Sequence, residues 1–137
     1  MAISYADALR NTRMNAITTL AGDAALIRIY SGTRPTNEGA EGTLLAELTG
    51  DTPFAGPAVA GVLELNPITS ESSAPEAGTN TASWFRIYSA GAAAIVCDGS
   101  VGVTGSGADL ILDSTSITFG QTVSIDTFVI TEGNDYS

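Results

Sequence analysis

The sequence predicts a mainly β protein: an antiparallel β-sandwich or jelly-roll-like domain with one short N-terminal α-helix. Three observations predict it. Apolar residues recur at helical spacing only before Gly22. After it come about eight short stretches rich in β-branched and aromatic residues, bounded by Gly, Pro, Asn and Asp. The length, 137 residues, is that of one domain able to build a core without disulfides or metal. The expected division is a helical arm over 1–22 and a β-sandwich domain over 23–137.

The helix is expected over 4–21. Ser4 and Asp7 have the spacing of a capping box, in which each side chain bonds the other's backbone N–H. Leu9, Ala16, Ile17 and Leu20 form its apolar stripe, with Tyr5 or Met14 extending it, and Gly22 stops it. Such a helix either packs on its own domain or grips a neighbouring subunit, and Arg10 and Arg13 on its polar side suit the second role.

Strands are expected over 25–31, 43–48, 60–65, 81–89, 93–97, 108–112, 116–119 and 122–131. Turns are expected at Ala90-Gly91, Asp98-Gly99, Gly105-Ser106-Gly107 and Phe119-Gly120. Two polar connections, 32–42 and 69–80, are long for a compact domain, which points to binding loops. The segment 49–59, with Pro53, Phe54 and Pro57, reads as an extended edge or a surface arm.

A weak internal repeat links Ile27-Arg28-Ile29-Tyr30-Ser31 to Phe85-Arg86-Ile87-Tyr88-Ser89. In a strand, Arg28 shares a face with Leu26 and Tyr30, and Arg86 with Trp84 and Tyr88. Either the two Arg stems lie along their aromatic neighbours, or one or both guanidinium groups meet a carboxylate across a subunit interface.

Charge narrows the function. Fifteen acids face five bases, for a net charge of −10, and all five bases are Arg. The imbalance is divided along the chain: residues 1–34 carry four Arg against Asp7 and Asp23, and residues 35–137 carry thirteen acids against Arg86. Nucleic-acid phosphates and anionic membrane surfaces would be repelled. The sequence has no His, so the usual general base and the commonest metal ligand are missing. Cys97 is the single Cys and reads as an ordinary buried thiol. The N-terminus lacks the basic start and apolar centre of a signal peptide, and no apolar run is long enough to cross a membrane as a helix. No nucleophile elbow, phosphate loop, dinucleotide fingerprint or zinc-protease motif is present. The EF-hand spacing is also absent, so a calcium site would have to be assembled from separate loops around Asp109, Asp113 and Asp126. Solvated carboxylates that keep the protein soluble are the simpler account. The expectation is a non-enzymatic protein without a cofactor.

A short N-terminal helix leads into Ala25-Leu26-Ile27-Arg28-Ile29-Tyr30-Ser31-Gly32-Thr33-Arg34-Pro35, and an acidic Gly-rich loop precedes Gly42-Thr43-Leu44-Leu45-Ala46. Ala60-Gly61-Val62-Leu63 and Ala82-Ser83-Trp84-Phe85-Arg86-Ile87-Tyr88 follow, and Gly107-Ala108-Asp109-Leu110, Ser116-Ile117 and Val123-Ser124-Ile125 close the pattern. This layout resembles that of small virion structural proteins of tailed bacteriophages, and the resemblance implies a capsid decoration or cement protein. Such a protein is made in the host bacterial cytoplasm and sits on the virion surface as a homo-oligomer, typically a trimer, against the major capsid protein. A tail or tail-tip component and a host-surface binding module are the alternatives. The interface candidates are Arg10 and Arg13 on the helix, Arg34, Pro35, Glu38 and Glu41 in the first loop, and Glu71 and Glu76 in the second. Arg28 and Arg86 mark a further candidate surface on the sheet.

Overall fold

The computed structural model describes residues 3–131. The chain is mainly β with one N-terminal helix, as the sequence predicts. Helix α1 spans Asp7–Ala21, and nine strands follow among the described residues: β1 Leu26–Tyr30, β2 Leu44–Thr49, β3 Val62–Glu64, β4 Thr79–Thr81, β5 Trp84–Tyr88, β6 Ile95–Gly102, β7 Leu110–Ile111, β8 Ser116–Thr118 and β9 Thr127–Thr131. Seven strands form one sheet in the order β2-β1-β5-β6-β7-β9-β3, and β4 pairs with β8 in a second. The large sheet is mixed rather than purely antiparallel, because β6 and β7 run parallel. Side chains of both sheets meet in one core that includes Ile27, Leu48, Phe85, Leu110, Ile117 and Phe128.

Register explains the division of faces. Ile27 lies opposite Leu48 and Ile87, and Ile29 opposite Ala46 and Phe85, so one face of β2-β1-β5 is wholly apolar and points into the core. The intervening residues face outward and carry the polar chemistry described below.

The helix departs from expectation in two ways. It begins at Asp7 with Ala6 at its cap and no side-chain cap bond, so Ser4 and Asp7 form no capping box. Asp7 Oδ1 instead accepts a bond from Arg10 Nη1 at 2.9 Å, one turn on. The stop at Gly22 holds, with φ at +69° and its N–H bonded to Thr18 O. The buried face is also turned from the expected stripe. Arg10, Met14 and Ala21 are buried, while Leu9 and Leu20 are 46% and 50% exposed. Polar anchors set this rotation. Asn11 and Asn15 accept the backbone N–H groups of Gly61 and Ala58, and Met14 enters a small cluster with Ala55, Ala58 and Leu63. The expected arm is therefore packed on the β body. Gly61, at φ +74°, lies under the Arg10 guanidinium, where any Cβ would collide with it.

Three further expectations change. Asp98-Gly99 is no turn but the middle of β6. Gly99 is there because the Phe85 ring occupies the space of a Cβ, and Asp98 because it pairs with Arg86. The 69–80 connection is stitched to the body: Thr69 bridges Thr49, Glu71 bridges Val123, Ala74 is buried, and β4 begins at Thr79. The 49–59 segment likewise buries Phe54 and bridges Leu65 through Ala55 and Val62 through Val59. The last strand starts at Thr127 rather than Thr122. Of the β domain drawn over 23–137, residues 132–137 lie outside those described, as do residues 1 and 2.

Candidate functional site

The outer face of the large sheet holds the densest polar chemistry of the described residues. Arg28 and Arg86 lie directly opposite one another on β1 and β5. Glu47 of β2 is the register partner of Arg28, and Asp98 of β6 that of Arg86, so a row of four charges crosses four strands with the carboxylates outermost. Two like charges side by side repel unless each has its own counter-ion. Here each does. Arg28 Nε donates to Glu47 Oε2 at 2.8 Å. Arg86 makes a two-pronged pair with Asp98, Nε to Oδ1 at 2.6 Å and Nη2 to Oδ2 at 2.9 Å.

Aromatic rings wall this row. Tyr30 stacks on Trp84 with centroids 4.4 Å apart, the Arg86 guanidinium lies 5.3 Å from the Trp84 ring, and that of Arg28 lies 4.9 Å from Tyr88. Arg86 is only 2% exposed and Trp84 1%. The Asp98 hydrogen bond holds the Arg86 guanidinium above its ordinary pKa against the opposing effect of burial. For Arg28, burial disfavours the charge, but the bond and charge of Glu47 outweigh it and the pKa is raised.

The 32–42 loop closes over this face. Its Glu41 Oε2 accepts the hydroxyl protons of both Tyr30 and Tyr88, and its Oε1 lies 3.9 Å from Arg28 Nη1. Gly39 O accepts from Arg86 Nη1 at 2.9 Å. Ser83 Oγ donates to Gly32 O, and Trp84 Nε1 to Ser31 O, which fixes the start of the loop. The two tyrosine bonds draw the Glu41 carboxyl below its ordinary 4.5, with Arg28 and Arg86 adding to the effect and burial opposing it. Burial and the bond to Glu41 push the Tyr30 phenol well above its usual range. The tip turns through Asn37 and Glu38, both at positive φ, and leaves Arg34 and Glu38 exposed with Pro35 half-buried beneath.

The sequence-derived candidates thus separate into distinct settings. Arg28, Glu41 and Arg86 anchor the loop within the chain, and their carboxylate partners are intramolecular. Arg34, Pro35 and Glu38 belong to the loop that those anchors hold. Glu71 accepts the backbone N–H of Glu47 at 3.2 Å and that of Ser73 at 3.1 Å, which ties the second connection to β2, and Glu76 is half-buried in the same segment. Arg10 is buried under the helix, and Arg13 lies over the Tyr5 ring at 5.0 Å. Tyr30, Tyr88, Glu47 and Asp98 escaped the list of candidates. The repeated Arg-Ile-Tyr carried the signal for the tyrosines, because residues two apart on paired strands share a face. Asp98 gave none once it was placed in a turn.

Among the described residues, no three His, Cys, Asp or Glu side chains are grouped so as to hold a metal ion, and no helix is long and apolar enough to cross a membrane. Cys97 is half-buried, and burial, with the charges of Asp98 and Asp109, pushes its thiol up to about 11, so it is a poor nucleophile near neutrality. Glu47 and Asp98 are occupied by the two guanidinium groups, and Glu41 by the hydroxyls of Tyr30 and Tyr88. What the arrangement does is fix a loop. No protein-family model, curated protein or solved structure matches the chain.

Proposed function

We propose that the chain is a structural subunit of a tailed-phage virion, a capsid decoration protein that docks on the major capsid protein as a homo-oligomer, with a trimer as the expected state. The reading rests on the resemblance of its layout to such proteins and on one structural observation, the latch on the 32–42 loop. Two tyrosine hydroxyls and two guanidinium groups hold that loop on the sheet, and a tryptophan N–H holds Ser31 just before it. A loop ordered before contact loses less entropy on docking. Its exposed tip, with Arg34 and Glu38, is the surface presented to the capsid, and Glu41, Arg28 and Arg86 keep it in shape. The acidic body (net charge −10 for the chain) would avoid the packaged DNA and set the orientation of approach to a more basic partner. A decoration role requires no catalytic step, in keeping with an outer face whose acids serve as anchors.

The test is binding to purified capsids that lack the protein. Arg34→Glu and Glu38→Arg should reduce occupancy at least about tenfold while leaving the melting temperature unchanged. Full occupancy by the double variant would remove the loop from the docking surface. Absence of any binding to capsids, with binding to isolated tails, would replace the decoration role by a tail role.

A further inference from the structure

The large sheet contains a gap that the 32–42 loop does not touch. Strand β6 pairs with β5 from Ile95 to Ser100, but with β7 only at Val101 and Gly102. Strand β9 pairs with β7 only at Thr127 and Phe128, and through Val129–Thr131 with β3 alone. Because β7 has just two residues, β6 and β9 run on past it on either side of a strand position that none of the described residues fills. With β7 as the spacer, that position is about 9.5 Å across, two strand spacings.

The backbone of β6 is turned toward the gap. Val101 N–H bonds Ser83 O on the β5 side, whereas Ser100 N–H points the other way and is taken by Asp109 Oδ2 at 2.9 Å. Bonding direction alternates along an antiparallel strand, so Asp98 presents its N–H and C=O on the same side as Ser100. Beneath the gap lies a cavity of about 220 Å³ floored by Ile17, Phe85, Cys97, Phe128 and Ile130. On the outer side stand Asp98, Asp109 and Val129.

We propose that this gap accepts an extended segment of a partner protein, one alternating small apolar with cationic residues, which pairs with the open edge of β6 and completes the sheet. The backbone edge supplies the pairing, as in other strand-addition complexes. The small cavity selects the inward side chains. The charge outside selects the outward ones, since the Asp109 carboxylate stands there and the Arg86 guanidinium beside it is committed to Asp98. A second copy of this chain is a poor donor. Its five cations are all Arg, and Arg10, Arg28 and Arg86 are engaged inside the fold. This surface is separate from the 32–42 loop, and the proposal stands or falls independently of the virion reading.

The probe is a short synthetic peptide of alternating Lys and Ala or Val, added to the full-length protein. Controls are the same peptide with Glu for Lys, and one with Pro at every second position, which cannot donate its backbone N–H. The readouts are amide exchange at Val96, Asp98 and Val129 and alkylation of Cys97. The basic peptide should bind saturably and slow both readouts about tenfold or more, while both controls do neither. Asp109→Asn, which removes the charge but keeps an oxygen to accept the Ser100 N–H, should weaken the basic peptide several-fold. Equal binding of the acidic peptide would overturn the charge argument. Binding of the basic peptide without protection of Asp98 and Cys97, or no saturable binding of it at all, would overturn the site.

Discussion

Removing the Asp98 carboxylate should cost more than any other single change on the outer sheet face. Arg86 is 2% exposed, and both oxygens of Asp98 accept from it, at 2.6 and 2.9 Å. In Asp98→Ala the guanidinium keeps the Gly39 carbonyl, the Trp84 ring, the Tyr88 hydroxyl and the more distant Glu41 charge, but no paired carboxylate. Breaking a buried pair in this way costs about 3–5 kcal/mol, because a charge is left without its counter-ion. The Asp98 side chain is 18% exposed, so water can reach one edge, and the low end, about 3 kcal/mol, is the expected value. For a chain of this length that is a fall of roughly 10–15 °C in melting temperature. Replacing both partners, Arg86→Met with Asp98→Leu, should recover most of the loss, since no charge is then buried. Urea and thermal unfolding of the three proteins measure this. A loss below about 1 kcal/mol in Asp98→Ala, or a double variant no more stable than the single one, would refute the account of the pair.

Glu41→Gln should loosen the 32–42 loop, raising amide exchange at Gly39 several-fold and lowering stability by about 1–2 kcal/mol. Because the folded-state pKa of Glu41 is depressed, its stabilisation is complete above its ordinary 4.5 and is lost as pH falls through the lower folded value; loosening that begins at pH 6 would contradict this. Alkylation of Cys97 at pH 8 should be at least about 100-fold slower in the native protein than in urea, given a thiol pushed up to about 11, and equal rates would show that the thiol is open to solvent. Ala60 and Gly61 both have positive φ, so Ala60→Gly should raise stability by up to about 1 kcal/mol, whereas Gly61→Ala, which also strikes the Arg10 guanidinium, should lower it; melting temperatures moving in the same direction would refute that distinction.

The β elements were legible because their signals are local. Ile27, Ile29, Phe85 and Ile87 alternate with polar or aromatic residues, and that alternation alone fixes which side enters the core. The helix was legible in existence but not in rotation. Leu9 and Leu20 outrank Arg10 and Asn11 in hydropathy, yet the packed face is chosen by the N–H groups of Ala58 and Gly61, some fifty residues away, and no periodicity reports them. Asp98-Gly99 misled for a similar reason. The pair has turn chemistry, but a carboxylate owed to Arg86 and a ring resting on Gly99 place it mid-strand. The candidate site was half legible. The repeat pointed to Arg28, Arg86 and the tyrosines sharing their faces, but the opposition of the two Arg and the return of Glu41 over them depend on strand order, which composition does not encode.

The proposed role as a building part of a phage shell is tested most directly by electron cryomicroscopy of phage particles produced with this chain. The account predicts density for the fold at many symmetry-related positions on the outer capsid, with the 32–42 loop against the major capsid protein. A handful of copies confined to the tail, or none on the particle, would contradict it.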